Sequence, residues 1–309
     1  MKKWILKAVV QKTISYLPYS YRINYFFQKY ITKGVALSNE YFYDRLGHAR
    51  VHLESYQKYS GQAFPLSSLE IGTGWYPIVP VSFFLAGTEN IYSTDITFHT
   101  SKEKIITTLL KMQESFRSGK LQQQISVNPE RYSILENILS DHTQLSAEEI
   151  LKRLHITYLI EDARQSSLPD DSIDLINSNN TFEHIYPEIL KPILREFKRI
   201  VNKKNGVMSH FIDLSDHFAH LDRSITIYNF LQFSERQWKL IDNSIQPQSR
   251  LRIDDYRSLY KELNIPINEE TFRKGDTTQL FTVPLDKRFA DKPADINAIS
   301  HCHFVSVFN

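Results

Sequence analysis

The chain has 309 residues, a net charge of +2, 41% hydrophobic and 23% charged residues, and one cysteine. That length can bury a core that needs no staples, and a lone Cys302 excludes an internal disulfide and a thiolate zinc site. A charge so near zero gives no general attraction to nucleic acid. Glycine is scarce, nine in all or roughly 3% against the usual ~7%. Two of the nine, Gly72 and Gly74, stand two residues apart.

No stretch reaches the ~20 apolar residues of a membrane span. Met1–Lys12 starts like a signal peptide, but Lys7 interrupts its apolar run and no small-residue cleavage site follows, so a cytoplasmic location is expected. Residues 1–62 hold ten Lys/Arg against three acids, a net of +7, which leaves −5 for the rest of the chain. The same stretch carries Tyr16, Tyr19, Tyr21, Tyr25, Phe26, Phe27 and Tyr30. It reads as a basic, aromatic, helical arm. Such an arm suits peripheral contact with an anionic membrane or a sugar-containing substrate, or it caps the main domain with its lysines in water.

Residues 63–309 read as one domain. Leu66–Ile71 is a short buried strand that ends in Gly72-Thr73-Gly74, and Asn90–Ile96 is a second strand after a helix-sized gap at 79–86. Residues 97–155 form a polar, helix-like insertion, in which Ser146 and Glu149 make a capping box. Ile156–Ile160 is a third strand and Ser172–Ser178 a fourth. A helix at 187–201 follows, then a fifth strand at Gly206–Ile212. Strands alternating with helices predict an α/β, doubly wound, mostly parallel sheet.

In such a sheet, ligands sit beyond the carboxyl ends of the strands. Gly72-Thr73-Gly74 stands at one such end and allows a close backbone approach. Asp95, 21 residues after Gly74, ends the second strand, where an acid accepts both hydroxyls of a ribose. A dinucleotide would want a third glycine near 77. The chain continues Trp75-Tyr76-Pro77 instead, and that bulk favours a smaller adenosyl ligand.

Here the chain resembles the class I S-adenosylmethionine-dependent methyltransferases, through four stretches in order within about 63–215. They are Leu69–Gly74, Asp95, Asp162-Ala163, and Leu168–Ile176 with the loop Ser178–Ile185. The third glycine of the family's fullest first motif is Tyr76 here. The resemblance implies a seven-stranded Rossmann-like sheet and S-adenosyl-L-methionine as cofactor. It places Glu70, Gly72, Thr73, Gly74, Asp95, Ile96, Asp162, Ala163 and Asn179 around that cofactor. Asn-Pro-Pro-Tyr, the mark of amino-methylating DNA enzymes, is replaced by Ser178-Asn179-Asn180-Thr181, and Cys302 follows His301 rather than a proline.

His210–Asp222 gathers three His and three Asp in thirteen residues, with Asp213 at the end of the fifth strand. Three readings stay open there: an Asp–His general base, a divalent metal site, and a structural loop. The candidate catalytic residues are His217 with Asp213 or Asp216, then His184; no metal ligand is assigned. A second insertion, about 218–264, carries Tyr228, Phe230, Phe233, Trp238, Arg250 and Arg252 and is expected to lid the substrate side. It resembles a bacterial subgroup of these methyltransferases associated with surface polysaccharide or secondary-metabolite genes. The reading is O-methylation of a sugar-containing or small-molecule acceptor, with no nucleic-acid partner. Its competitors are a non-catalytic binding protein of the same fold and a nicotinamide-dependent oxidoreductase.

Overall fold

Short runs between turn residues become strands, of which the central ones are buried on both faces. The computed structural model describes residues 2–17 and 36–308. The strands are β1 (Ser67–Ile71), β2 (Asn90–Asp95), β3 (Ile156–Ile160), β4 (Leu175–Asn179), β5 (Gly206–Asp213), β6 (Glu269–Arg273) and β7 (His301–Phe308). They form a seven-stranded sheet of order β3-β2-β1-β4-β5-β7-β6. β1 to β5 pair in parallel, and β7 runs antiparallel to both β5 and β6. The expected strand at Ser172–Ser178 starts later, at Leu175, because Ile173 makes only an isolated bridge to Val201.

Two apolar cores cover the two sides of the sheet. Alternating strand residues point to each: Leu175, Val207 and Val305 to one, Ile176, Met208 and Phe304 to the other. The first core is closed by α2 (Asn39–Ser60), α3 (Ile78–Ala86), α4 (Lys102–Arg117), α5 (Pro129–Asp141) and α6 (Ala147–Arg153). The Ser146–Glu149 capping box forms as expected at the start of α6. The second core is closed by α7 (Pro187–Ile200), whose Leu190, Ile193, Leu194, Phe197 and Ile200 make one apolar stripe, and by α9 (Ile253–Glu262).

A third cluster joins α1 (Lys3–Ser15) to the second insertion, which contains α8 (Glu235–Ile241). Trp4 and Ala8 pack with Phe218, Tyr228, Phe230, Leu231 and Trp238. Lys12 Nζ donates to the carbonyls of Lys239 (2.9 Å) and Asp242 (2.7 Å), so this lysine caps a chain turn instead of standing free in water. Leu6 and Val9 of α1, and Tyr16 and Leu17 just after it, are exposed. The arm's Tyr19, Tyr21, Tyr25, Phe26, Phe27 and Tyr30 lie outside the described residues. Among the described residues no helix is long and apolar enough to cross a membrane.

The insertion packs into this cluster through its aromatic and arginine side chains. Arg250 donates to the carbonyls of Phe230 (3.0 Å) and Phe233 (2.5 Å). Arg252, with no exposed surface, donates to the carbonyls of Leu214 (2.5 Å), Asn297 (2.7 Å) and Ile299. Arg250 also pairs with Glu235 (2.6 Å), whereas the Arg252 guanidinium bonds to main chain alone. Neither is among the residues that line the cavity described below, whereas His220 and Gln246 of the same insertion are.

Candidate active site

The carboxyl ends of β1, β2 and β4 build the first half of the site. Gly72 and Gly74 adopt φ of +75° and +68°, the left-handed region that favours glycine. A Cβ on Gly72 would sit 2.5 Å from Thr181 Cγ2 and Oγ1, whereas one on Gly74 meets nothing within 4 Å. The first glycine is therefore fixed by the β4 loop packing on it, and the second faces open space. Tyr76 turns its ring against the apolar core.

Glu70 of β1 is only 4% exposed. Its Oε1 accepts from Asn179 Nδ2 at 2.8 Å, while its buried Oε2 has no hydrogen-bond partner. Burial pushes this carboxyl up to about 7, against the opposing pull of Thr73 and Asn179. Asp95 accepts from the Ile96 amide at 2.8 Å and lies 3.5 Å from His99 Nε2. Burial raises its pKa, and His99 works the other way. Ile96 and Ile160, at the ends of β2 and β3, are exposed apolar residues beside it. Asp162 is exposed and paired with Arg164 (2.6 Å), with Ala163 buried behind it.

A cavity of about 870 Å³ opens at the ends of β4, β5 and β7. Its lining includes Arg45 and His48 from α2, Asn180, Glu183 and His184 after β4, Asp213 and His217 at the end of β5, and His301 and His303 of β7. One wall is a stack of rings, with Phe211 3.8 Å from His48 on one side and 4.2 Å from His303 on the other. Burial, with Arg45 acting on His48 and His217 on His184, pushes both His48 and His184 down to about 4. Burial and His48 do the same to His303. These imidazoles are neutral near pH 7. They can donate and accept hydrogen bonds without carrying charge.

Asp213 is the one buried carboxylate between two rings. Its Oδ2 lies 3.4 Å from His217 Nε2 and its Oδ1 3.6 Å from His301 Nε2, while the Ser215 amide donates to it at 2.8 Å. Burial alone would raise its pKa, but His217, His301 and Ser215 outweigh it and hold the carboxyl below its usual range. The β5–β7 register sets Asp213 directly opposite His301.

The structure thus brings Asp213, His217 and His184 together, with the His184 and His217 rings 4.8 Å apart. It sets Asp216 apart. That carboxylate accepts from the Phe218 amide (2.8 Å) and Asn229 Nδ2 (3.1 Å) and has no exposed surface, so it holds the loop. Burial pushes it up to about 6. Glu183, His48, His52, His301 and His303 escaped the sequence reading. Glu183 stood inside a quoted loop, and the pairs His48/His52 on one helix face and His301/His303 on one strand face were its only signals.

Asn179 joins the two halves. Its Nδ2 holds Glu70, and its Oδ1 faces His48 Nδ1 (3.0 Å) and His52 Nε2 (3.2 Å).

Residues 131–209, from α5 to β5, match a family model described as a methyltransferase domain. No curated protein sequence matches the chain. Among solved structures, phosphoethanolamine N-methyltransferase 2 of Haemonchus contortus, in complex with S-adenosyl-L-methionine, is similar at 13% identity and a TM-score of 0.44. The match covers 83% of this chain and 52% of that one, so the chain spans about half the length of that enzyme. An S-adenosylmethionine-dependent methyltransferase from Leishmania major is similar at 11% identity and a TM-score of 0.45, covering 98% of this chain and 82% of that one. The 1,6-didemethyltoxoflavin-N1-methyltransferase of Burkholderia thailandensis is similar at 9% identity and a TM-score of 0.43, with coverage of 85% and 78%. Over residues 131–209 the chain matches a methyltransferase domain.

Proposed function

We propose that this chain transfers a methyl group from S-adenosyl-L-methionine to an oxygen of a small-molecule or sugar-containing acceptor held in the cavity. The cofactor fits the residues present. Gly74 leaves open space where a side chain would stand, Glu70 turns an unpaired carboxylate oxygen inward, and Asp95 ends β2 where a ribose would lie. When bound, S-adenosylmethionine supplies an electrophilic methyl on a positively charged sulfur, which is left neutral as the carbon–sulfur bond gives way to a carbon–oxygen bond.

The observation that carries the reading is the Asp213–His217 pair at the carboxyl end of β5, facing the cavity. Asp213 orients the ring, and His217 takes the acceptor's hydroxyl proton as the new bond forms. The stacked His48–Phe211–His303 wall offers a flat face with neutral polar edges, which suits a hydroxylated acceptor more than an anionic one. Proximity between the donor turn and the acceptor cavity supplies much of the rate. His217→Ala tests the assignment: turnover with a hydroxylated acceptor falls while S-adenosylhomocysteine binding stays at the wild-type level. Unchanged turnover in that variant would move the base elsewhere.

A further inference from the structure

Glu183 is the most exceptional side chain of the cavity. It is 4% exposed, it faces the open volume, and neither of its carboxylate oxygens has a hydrogen-bond partner. A buried carboxylate left without a partner is costly, and buried polar groups are otherwise paired almost without exception. Its main chain is not loose: the Ser249 amide donates to the Glu183 carbonyl at 2.9 Å, and the turn Phe182–His184 follows directly on β4. The side chain is therefore held in place, with the Arg45 charge and the Asp213 main chain acting on it and no side chain hydrogen-bonded to either oxygen.

Two imidazoles stand beside it. One donor atom each from Glu183, His184 and His217 lies within 4.8 Å of the other two. His184 Nδ1 donates to the Pro247 carbonyl at 2.7 Å, so its Nε2 keeps a free lone pair. Asp213 lies 3.4 Å from His217 and fixes that ring in turn. A carbonyl and a carboxylate behind two ligand histidines are the usual outer shell of a metal site. With metal–ligand bonds of ~2.0–2.2 Å, donor atoms spaced as these are converge on one ion after small side-chain rotations.

We propose that Glu183, His184 and His217 bind one divalent transition-metal ion. Two imidazoles and a carboxylate leave the remaining coordination positions open to the cavity, as in sites that bind a substrate or water oxygen. The ion neutralises the buried Glu183 carboxylate. It also takes an acceptor hydroxyl as a ligand and lowers that hydroxyl's pKa, so that the O–H proton passes to solvent water at the cavity mouth before methyl transfer. This role rests on the acceptor cavity proposed above. His217 acts as ligand in the loaded protein and as proton acceptor only without the ion.

The test uses Zn²⁺ alone, titrated into the full-length, metal-stripped protein by calorimetry against a competing chelator. One site per chain is expected, with Glu183→Gln and His184→Ala each weakening it at least ~10-fold. With Co²⁺ in place of Zn²⁺, the wild-type protein develops a visible absorption band that both variants lose. Equal Zn²⁺ affinity in wild type and variants, or no site tighter than millimolar, overturns the proposal. S-adenosylhomocysteine binding, measured on the same samples, reports separately on folding and on the methyl-donor reading. Its loss in wild type would sink that reading and leave the ion site standing.

Discussion

Asn179 Nδ2 donates to Glu70 Oε1 at 2.8 Å, and this single bond ties the Gly72–Gly74 turn at the end of β1 to the imidazoles of the cavity. Glu70 is buried and its carboxyl is pushed up to about 7. The folded state thus holds a proton that the unfolded chain releases near 4.5. The unfolded state binds fewer protons between these values, so this group's contribution to stability is full below pH 4.5 and declines as pH rises towards about 7. The loss is roughly 3 kcal/mol. Urea unfolding at pH 5 and pH 8, wild type against Glu70→Gln, reads it. The variant gains relative to wild type at the higher pH, and parallel curves would contradict the assignment.

The two glycines of the turn predict unequal costs. Gly72→Ala places a methyl on Thr181 and keeps a left-handed φ, for a loss of roughly 1–3 kcal/mol. Gly74→Ala meets no atom and costs only the backbone strain, about 1 kcal/mol. In a double-mutant cycle, Thr181→Ala recovers part of the Gly72→Ala loss and none of the Gly74→Ala loss. Additive effects in both pairs would show that Thr181 does not set the fit.

Asp213 and Asp216 divide function from structure. Asp213→Asn removes the charge that orients His217 and His301, and turnover falls by roughly 10²-fold or more. Asp216→Asn disturbs the bonds from Phe218 and Asn229, so it lowers the melting temperature more than it lowers turnover. The reverse pattern would exchange their roles.

Arg252 is fully buried, donates to three carbonyls and has no carboxylate hydrogen-bonded to its guanidinium; burial pushes its pKa down to about 10. Arg252→Met leaves those three acceptors dry, and a destabilisation of roughly 3 kcal/mol or more is expected. A change within experimental error would mean that water or a shifted loop replaces the guanidinium.

The alternation of short apolar runs with helix-sized gaps made the parallel core of the sheet legible from β1 to β5. β1, β4 and β5 are buried almost throughout, while β2 and β3 keep exposed positions, and each carries enough apolar residues between turn signals to be seen. β6 escaped because Glu269–Arg273 is a partly exposed, polar edge strand with no apolar alternation. Glu70, Gly72, Gly74 and Asp95 could be named from local motifs because their positions depend only on a turn and a strand end. His48, His301 and Glu183 are brought together by strand order and by the docking of α2, across gaps of more than a hundred residues. No spacing rule along the chain could pair them. The packing of Arg250 and Arg252 was equally illegible, since their partners, the Phe230, Phe233, Leu214, Asn297 and Ile299 carbonyls and Glu235, are set by the folded loops.

The central claim is that the Gly72–Gly74 turn and Asp95 hold an adenosyl methyl donor. Calorimetric titration of S-adenosylhomocysteine into the full-length protein tests it most directly. One site per chain is expected, weakened at least ~10-fold, or about 1.4 kcal/mol, by Asp95→Ala with little change in thermal unfolding. No binding to the wild-type protein, or the same affinity in Asp95→Ala, would contradict it.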